Sequence, residues 1–503
     1  MNTSTTHYIA NPLLNSDWPD LDVTRGPHGY VMVASSSHRV PGLPVLTSPD
    51  LVSWRLASRA VQHVLPPSSH VPAHNGGWWA PSIRYHDGLY RIFVPDPDRG
   101  IFVTTSPAPE GPWTNPHLVL PGLGLIDPCP FWDDDGRAWL MFAWARSRSG
   151  IANRLSLAPM NPTGTRLVGP AGTVIDGARY PGCIVLEGPK LYRRDGWYYV
   201  FAPAGGVKEG WQTVLRSRSI HGPYDMRIVL AQGDTEVNGP HQGGWVTTDE
   251  GEDWFLHFQD RGPYGRTIHL QPMRWENGWP VIGADGEPMT HLPPPAAARD
   301  PVRTHPHTSD EFRSSVLGLQ WAWQTNPEPH WLELRGDGVA RLAALPTDVG
   351  NLWTVPQMLT QPLPGWPCEI RTTVTAPDLP VGGRTGVAVL APQYSWVGVE
   401  QRDDGMWAVV RSRPADALDE DLLLESRLGS SRSINVIVTS DGAGKVTLGL
   451  MHGNRVSLAA PVAAAPSSWT SAELALFAAA PVGIASSGHV HFGPVVFDPA
   501  DGA

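Results

Sequence analysis

Three acidic residues lie in apolar surroundings at widely separated points of the chain, and together they have the chemistry to cleave a glycosidic bond. They are Asp20 in SDWPDLDVTR, Asp127 in GLIDPCPFWDDDG and Glu187 in CIVLEGPKLY. A buried carboxylate is costly unless it is paired or functional. Glycosidic hydrolysis needs one protonated acid for the leaving oxygen and one ionised partner that activates water or attacks carbon.

The three acids suit different roles. Glu187 has one more methylene group for reach and hydrophobic neighbours, so it is the better general acid, and nearby negative charge would keep it protonated near neutral pH. Asp20 is the better general base. Asp127 would raise the pKa of the acid and orient it. The alternative is that these acids only form hydrogen bonds in turns and at strand ends, as we expect for residues 133–135.

A repeat in the first 260 residues would bring the acids together. A turn followed by an aromatic strand recurs five times, with spacings of 60, 49, 59 and 56 residues, at Tyr30, Tyr90, Trp139, Tyr198 and Trp254. Upstream of these markers by 10 to 13 residues lie Asp20, Trp79, Asp127, Glu187 and His241. A repeat of this length with short strands is typical of a β-propeller. The sequence therefore predicts a five-bladed propeller over residues 1–297, whose equivalent positions converge on one axis.

A second all-β domain is expected after the propeller. The proline-rich, polar segment 298–309 is predicted to be a linker. From 310 to 503, short runs with period-two alternation, such as CEIRTTVTA, SWVGVEQ and SINVIVTS, predict a β-sandwich of two antiparallel sheets.

Composition disfavours several classes of partner and compartment. The formal net charge is −11 with no cluster of lysine and arginine, which argues against nucleic acid and anionic membranes. Three cysteines, Cys129, Cys183 and Cys368, do not suggest a disulfide framework. The N-terminal residues show neither a basic region nor an apolar run. We therefore expect a soluble cytoplasmic protein that binds a small oligosaccharide; whether it forms a homo-oligomer is left open.

Six motifs, in order along the chain, resemble glycoside hydrolase family 43, above all its β-xylosidase and α-L-arabinofuranosidase branches. The motifs are NPLLNSDWPDLDVTR, PGLPVLTSPDLVSW, WWAPSIRYHDGLY, IDPCPFWDDDG, EGPKLY and GPHQGGWV. The segment DEFRSSVLGLQWAWQTNPEPHWLEL is similar to the start of the concanavalin-like sandwich that follows the propeller in those enzymes. The resemblance implies a five-bladed propeller and an inverting mechanism. By motif position it assigns Asp20 as general base, Asp127 as pKa modulator and Glu187 as general acid.

The resemblance departs from the family pattern at two points. The base motif reads PDLD where the family commonly has PDP, which makes Asp22 a minor rival of Asp20. Ile126 stands before Asp127 where some xylosidases carry an aromatic residue.

Five further residues are candidates for the site, two of them, His241 and Arg266, by the same resemblance. His241 matches a family histidine near the axis, in some members beside a bound cation, so it is the candidate ligand if a Ca²⁺ ion binds there; no cofactor is expected to be required. Arg266 matches an arginine that contacts the sugar or an acid, with a surface ion pair as the alternative. Trp79 is a candidate for stacking on a sugar face. His38 and Trp144 are candidates for the rim of the pocket.

The sequence favours an exo-acting hydrolase that releases xylose, L-arabinose or both from short oligosaccharides, with β-xylosidase as the main activity. An α-L-arabinofuranosidase is the first alternative, and a non-catalytic carbohydrate-binding propeller the second. A β-fructosidase is disfavoured because its WNDPNG-like nucleophile motif is absent. The sandwich is expected to pack on the propeller, where one of its loops could form part of the rim of the pocket.

Overall fold

The computed structural model describes residues 8–298, 302, 304–306, 308–452, 455–467, 469–484 and 488–500. Almost every regular element is a β-strand. No helix in these ranges is long and apolar enough to cross a membrane. The fold class, a five-bladed propeller followed by a β-sandwich, is confirmed.

Five four-stranded antiparallel sheets form the propeller, each from consecutive strands. A short strand, β1 (Ile9–Ala10), precedes them. Blade 1 contains β2 (Asp22–Gly26), β3 (Gly29–Val33), β4 (Gly42–Ser48) and β5 (Arg55–Val61). Blade 2 contains β6 (Ser82–His86), β7 (Leu89–Asp96), β8 (Gly100–Ser106) and β9 (His117–Pro121). Blade 3 contains β10 (Leu125–Trp132), β11 (Ala138–Trp144), β12 (Arg154–Met160) and β13 (Gly172–Asp176), with the short helix α1 (Arg146–Ser149) after β11. Blade 4 contains β14 (Lys190–Arg194), β15 (Trp197–Ala204), β16 (Trp211–Ser217) and β17 (Asp225–Leu230). Blade 5 contains β18 (His241–Thr247), β19 (Asp253–Asp260), β20 (Arg266–Glu276) and β21 (Trp279–Ile282).

Turn residues at fixed places set the first hairpin of several blades. Asp87 and Gly88 join β6 to β7, and Asp195 and Gly196 join β14 to β15, all four with positive φ. A two-residue Asp-Gly turn with both φ angles positive matches the twist of the strands that it connects. The aromatic markers of the repeat all lie on the second strand of their blade, so the repeat and the blade coincide.

The N-terminal segment connects blade 5 to blade 1. Strand β1 pairs with β22 (His291–Leu292), which follows blade 5. The Leu13 N–H donates to Ile268 O at 2.7 Å, and the Ile268 N–H donates to Leu14 O at 3.0 Å. The chain then enters β2, the first strand of blade 1. This strand packs against β18 of blade 5 and against β6 of blade 2.

Two sheets form the C-terminal sandwich. Its strands are β23 (Ala322–Trp323), β24 (Leu332–Leu334), β25 (Ala340–Ala343), β26 (Leu345–Thr347), β27 (Met358–Pro362), β28 (Cys368–Thr375), β29 (Arg384–Leu390), β30 (Tyr394–Arg402), β31 (Gly405–Arg413), β32 (Asp421–Arg427), β33 (Ser433–Ser440), β34 (Lys445–His452), β35 (Arg455–Leu458), β36 (Val462–Ala463), β37 (Glu473–Pro481), β38 (His489–Phe492) and β39 (Val496–Pro499). Strand β33 alternates strictly between buried and half-buried residues, as a strand with one face on a core should. Three single-turn 3₁₀ helices complete the fold, at Gly177–Arg179, Gly262–Tyr264 and Leu352–Thr354.

The two domains are packed closely together. Tyr264 of the propeller lies within the sandwich core. Val40 and Trp323 exchange backbone hydrogen bonds of 3.0 and 2.6 Å. The Asn326 side chain accepts from Val64 N at 2.9 Å and donates to Val64 O at 3.0 Å. Of the predicted linker, residues 299–301, 303 and 307 lie outside the described residues.

Candidate active site

A cavity of about 380 Å³ opens between the five blades of the propeller and one loop of the sandwich. Its volume lies in the range of small-molecule sites, about 300–1,000 Å³. The propeller contributes acids, two arginines and tryptophans, and the sandwich contributes two residues. The lining includes Asp20, Ser35, Trp79, Asp127, Trp144, Asn153, Val185, Glu187, Gln242, Arg266, Trp469 and Thr470.

Asp20 lies just before the first strand of blade 1 and is held by two donors. The Ser35 hydroxyl donates to Oδ2 at 2.7 Å, and the Arg266 guanidinium donates to Oδ1. Its backbone has φ = 55°, a conformation that aspartate tolerates better than most residues. Asp20 is thus a hydrogen-bond acceptor that faces the cavity from a fixed position.

Asp127 is directed into the cavity by an irregularity in its strand. The pairing of β10 with β11 shifts register between Ile126 and Cys129, and Asp127 itself has φ = 53°. Bulges of this kind re-aim side chains next to active sites. The Asp127 Oδ2 atom accepts from Gly188 N at 2.8 Å.

Glu187 immediately precedes the first strand of blade 4, in a segment fixed from both sides. Its N–H donates to Pro203 O at 3.2 Å, and the preceding Leu186 N–H donates to the Asn153 side chain at 2.8 Å. The next residue must be glycine, because a Cβ at Gly188 (φ = +58°) would lie 2.4 Å from the Gln242 side chain. The Glu187 side chain is 27% exposed and lines the cavity.

The pKa of Glu187 is raised to about 8. Burial is the main cause, and the negative charges of Asp127 and then Asp20 add to it. The positive charge of Arg266 acts in the opposite direction. Glu187 therefore holds a proton at neutral pH, as a general acid must.

The pKa of Asp127 is raised less, to about 6, again chiefly by burial. The Gly188 N–H, the charge of Lys190 and the Gln242 side chain all favour its ionised form. Of the two interacting acids, Glu187 keeps the proton and Asp127 carries the charge at pH 7.

Aromatic and apolar side chains form the walls of the cavity. The Trp144 indole N–H donates to Ser156 Oγ at 3.0 Å, which fixes the ring. Trp79 of blade 2 and Trp469 of the sandwich face each other with ring centres 6.5 Å apart. Val185, 43% exposed, lines the cavity with φ = 52°, which is strained for a β-branched residue. Aromatic and apolar side chains of this kind can pack against the apolar surfaces of a sugar ring.

His241 lies behind Glu187 rather than in the wall of the cavity. It is fully buried, and its Nε2 atom lies 3.6 Å from Glu187 Oε1. Burial lowers the pKa of His241 to about 3, so the ring is neutral. The ring thus lies beside the Glu187 carboxyl group and is not part of the cavity lining.

The side chains around His241 do not by themselves form a site for the possible calcium ion. Calcium is bound by about six to eight oxygen ligands. Within the described ranges no group of three or more histidine, cysteine, aspartate or glutamate side chains is placed to hold a metal. We therefore derive no catalytic step through a metal at His241.

Two further candidates from the sequence also lie outside the cavity. His38 is buried at the domain boundary, where its Nε2 atom is 2.8 Å from the Gln324 side chain of the sandwich. Asp22, the rival base, is fully buried and accepts from Arg84 at 2.6 Å and from Ile83 N at 2.9 Å. These contacts direct the Asp22 carboxylate toward blade 2, so of the two nearby acids only Asp20 faces the substrate.

Several cavity residues were not singled out from the sequence. Asn153 and Gln242 are lone polar residues in no repeated pattern, although Gln242 directly follows His241 in the fifth repeat. Trp469 and Thr470 belong to the other domain, and nothing in their local sequence points to the propeller.

Comparison with known protein families matches the whole architecture. The family model described as Glycosyl hydrolases family 43 matches residues 9–280, and the model for the Beta xylosidase C-terminal Concanavalin A-like domain matches residues 309–497.

Individual relatives agree with these matches. A Putative beta-xylosidase of Xylanibacter ruminicola is 42% identical over 364 residues, which cover 71% of this chain and 67% of that protein. The Non-reducing end alpha-L-arabinofuranosidase BoGH43B of Bacteroides ovatus is 29% identical over 364 residues, which cover 66% and 65%. The match therefore spans about two thirds of the length of these relatives. The crystal structure of xylan beta-1,4-xylosidase from Bacillus Halodurans shares the fold, with a TM-score of 0.86 at 22% identity over 97% of this chain and 100% of that one.

Proposed function

We propose that this chain, which belongs to glycosyl hydrolases family 43, is an exo-acting β-xylosidase that inverts the anomeric configuration. The observation that carries the proposal is the contrast between two carboxyl groups of one cavity. Asp20 accepts hydrogen bonds from Arg266 and Ser35, whereas Glu187 is desolvated and protonated at neutral pH. These are the states that a general base and a general acid require.

Each group then has one task in the reaction. Glu187 gives its proton to the glycosidic oxygen as the bond from that oxygen to the anomeric carbon breaks. Asp20 takes a proton from a water molecule, whose oxygen forms the new bond to the anomeric carbon. Because water enters opposite the leaving group, the sugar is released with inverted configuration. Exchange with solvent then returns a proton to Glu187 and removes one from Asp20.

The form of the cavity supports exo action. Trp469 and Thr470 of the sandwich form one wall, so the cavity is bounded by both domains instead of running along the propeller as an open cleft. A walled pocket accommodates the end of a chain more readily than its middle. We therefore propose short oligosaccharides as substrates, from which one terminal sugar is removed at a time.

Xylose is the favoured sugar because the relative with 42% identity carries the name beta-xylosidase. An α-L-arabinofuranosidase is the second candidate, supported by the name of the Bacteroides ovatus relative. Xylopyranose and arabinofuranose offer similar hydroxyl patterns, so the acids alone do not discriminate between them. The non-catalytic alternative is set aside because the chain belongs to a hydrolase family.

The test compares p-nitrophenyl β-D-xylopyranoside with p-nitrophenyl α-L-arabinofuranoside. We expect kcat/KM to favour the xyloside by about tenfold or more. A preference for the arabinofuranoside would replace the first candidate by the second. In a separate experiment, NMR of the sugar first released from p-nitrophenyl β-D-xylopyranoside should show α-xylose, and initial release of β-xylose would contradict the inverting mechanism.

We also propose a cytoplasmic location. All three cysteines are buried and unpaired, as is common in a reducing compartment. Fractionation of the native host with antibodies against the chain tests this, and recovery outside the cell would contradict it.

A further inference from the structure

A fourth acid, Asp17, lies three residues before Asp20 at the boundary between the two domains. Its side chain is completely buried. The carboxylate accepts from Arg266 N at 2.9 Å, from Ser471 N at 3.1 Å and from the Arg39 guanidinium at 3.4 Å. None of these contacts takes part in the acid–base chemistry of Glu187 and Asp20.

One backbone donor of Asp17 belongs to a cavity residue of the propeller, and the other directly follows the cavity residues of the sandwich. Arg266 is the residue whose guanidinium holds the proposed base, Asp20. Ser471 follows Trp469 and Thr470, which line the cavity from the sandwich. One carboxylate therefore fixes the arginine of the propeller and the loop of the sandwich relative to each other.

The backbone before Arg266 is adapted to this contact. Gly265 has φ = +70° and ψ = −144°, a conformation that residues with a Cβ rarely adopt. A Cβ at this position would lie 2.1 Å from Asp17 Oδ1. Glycine thus allows the Arg266 N–H to reach the buried carboxylate.

A matching acid on the sandwich side shares the same arginine. Glu473 accepts from Arg39 at 2.7 Å and from the Gln324 side chain. Both acids are buried and both are paired with Arg39, but Glu473 has no hydrogen bond or ion pair with Arg266 among the described residues. This difference makes Glu473 a matched control for Asp17.

We propose that Asp17 is a positioning residue for the active site: it holds Arg266, and through it Asp20, in register with the Trp469–Thr470 wall. The inference rests on the proposed glycosidase function. It makes the sandwich a structural part of the active site rather than an appended module. Asp17 touches neither substrate nor reacting atoms and acts through Arg266.

The first test compares Asp17→Asn with Glu473→Gln by hydrogen exchange and kinetics. In Asp17→Asn we expect faster exchange of the Arg266 and Ser471 amides and a kcat lower by about 10- to 100-fold, because a shift of the base is felt in the chemical step. In Glu473→Gln the Arg266 amide should stay protected and kcat should stay within about threefold of the parent. An unchanged Arg266 amide in Asp17→Asn, or equal losses of kcat in both variants, would overturn the proposal.

The second test is a double-mutant cycle with Arg266→Lys. If Asp17 acts through Arg266, the double variant should lose no more than about threefold in kcat beyond the worse single variant. Losses that multiply would show an independent, merely structural effect. Should Asp17→Asn not fold, Gly265→Ala displaces the same contact from the other side and takes its place in both tests.

Different results would contradict the proposed function and the proposed role of Asp17. A parent protein without activity on xylosides and arabinosides contradicts the proposed function, whereas the exchange experiment still decides whether Asp17 holds Arg266. An active parent with an indifferent Asp17→Asn variant contradicts the role of Asp17 alone.

Discussion

The two sides of the cavity hold the same functional group in opposite surroundings. On one side, Asp20 is bound by the guanidinium of Arg266 and by Ser35. On the other, Glu187 has no cation in hydrogen-bonding contact among the described residues, and burial and the charge of Asp127 act on it. Hydrogen-bonding partners define the environment of Asp20, whereas desolvation and a neighbouring negative charge define the environment of Glu187.

This difference shows how one fold provides both an acid and a base at one pH. A cation beside a carboxylate favours the ionised form, whereas burial and a neighbouring carboxylate favour the protonated form. Changing the environment of either carboxyl group should therefore lower the activity more than removing a contact that only binds substrate.

The largest effect is expected from Glu187→Gln. This variant keeps the shape of the side chain but has no proton to donate, so hydrolysis of xylobiose should fall by about 10²- to 10⁴-fold. The loss should be much smaller for p-nitrophenyl xyloside, because p-nitrophenolate leaves without protonation. Asp20→Asn should instead impair both substrates alike. Steady-state kinetics on the two substrates measures this, and equal losses for Glu187→Gln would contradict its role as acid.

A smaller effect is expected from removing the partner of the base. Arg266→Met keeps much of the length of the side chain but leaves Asp20 without its cation, and we expect kcat to fall by about 10- to 100-fold. Arg216→Met is the control, since Arg216 lies over the Trp279 ring of a neighbouring blade at 4.1 Å. A kcat within about threefold of the parent for Arg266→Met would mean that Ser35 alone suffices to hold Asp20.

The acid side can be tested through its pH dependence. Activity requires protonated Glu187, so kcat/KM should fall as the pH rises through about 8. Asp127→Asn removes a charge that raises this pKa, so the alkaline limb should move to lower pH by about one unit. Profiles of kcat/KM from about pH 5 to 9.5 measure the shift. An alkaline limb that stays in place would show that the charge of Asp127 does not contribute to the pKa of Glu187.

The smallest effect concerns stability. The pKa of Glu187 in the folded protein lies above its ordinary value of 4.5, so the folded state binds this proton more tightly and loses stability as the pH rises from about 4.5 through 8. Glu187→Gln removes that cost and should raise Tm by about 2–4 °C near pH 8.5, with no gain near pH 4. The exposed Glu209→Gln is the control in calorimetry. A gain that is equal at both pH values would rule out titration of Glu187 as the cause.

Local patterns in the sequence predicted much of the fold. The Asp-Gly turns at 87–88 and 195–196 and the alternation of β33 arise from interactions between near neighbours, so they can be predicted without tertiary structure. The register shift that turns Asp127 into the cavity cannot be predicted in this way, because it depends on how β10 pairs with β11. The same holds for His38, whose partner lies in the other domain.

The sequence by itself determined a five-fold repeat, its turns, and an acid at corresponding points of blades 1, 3 and 4. These features depend on residue type and spacing along the chain. Only the tertiary structure decided which acid is protonated, that Asp22 is buried in an ion pair, and that Trp469 and Thr470 complete the wall. The physical reason is that a pKa and a cavity depend on distances and desolvation among groups from different blades and domains, which no local stretch of sequence encodes.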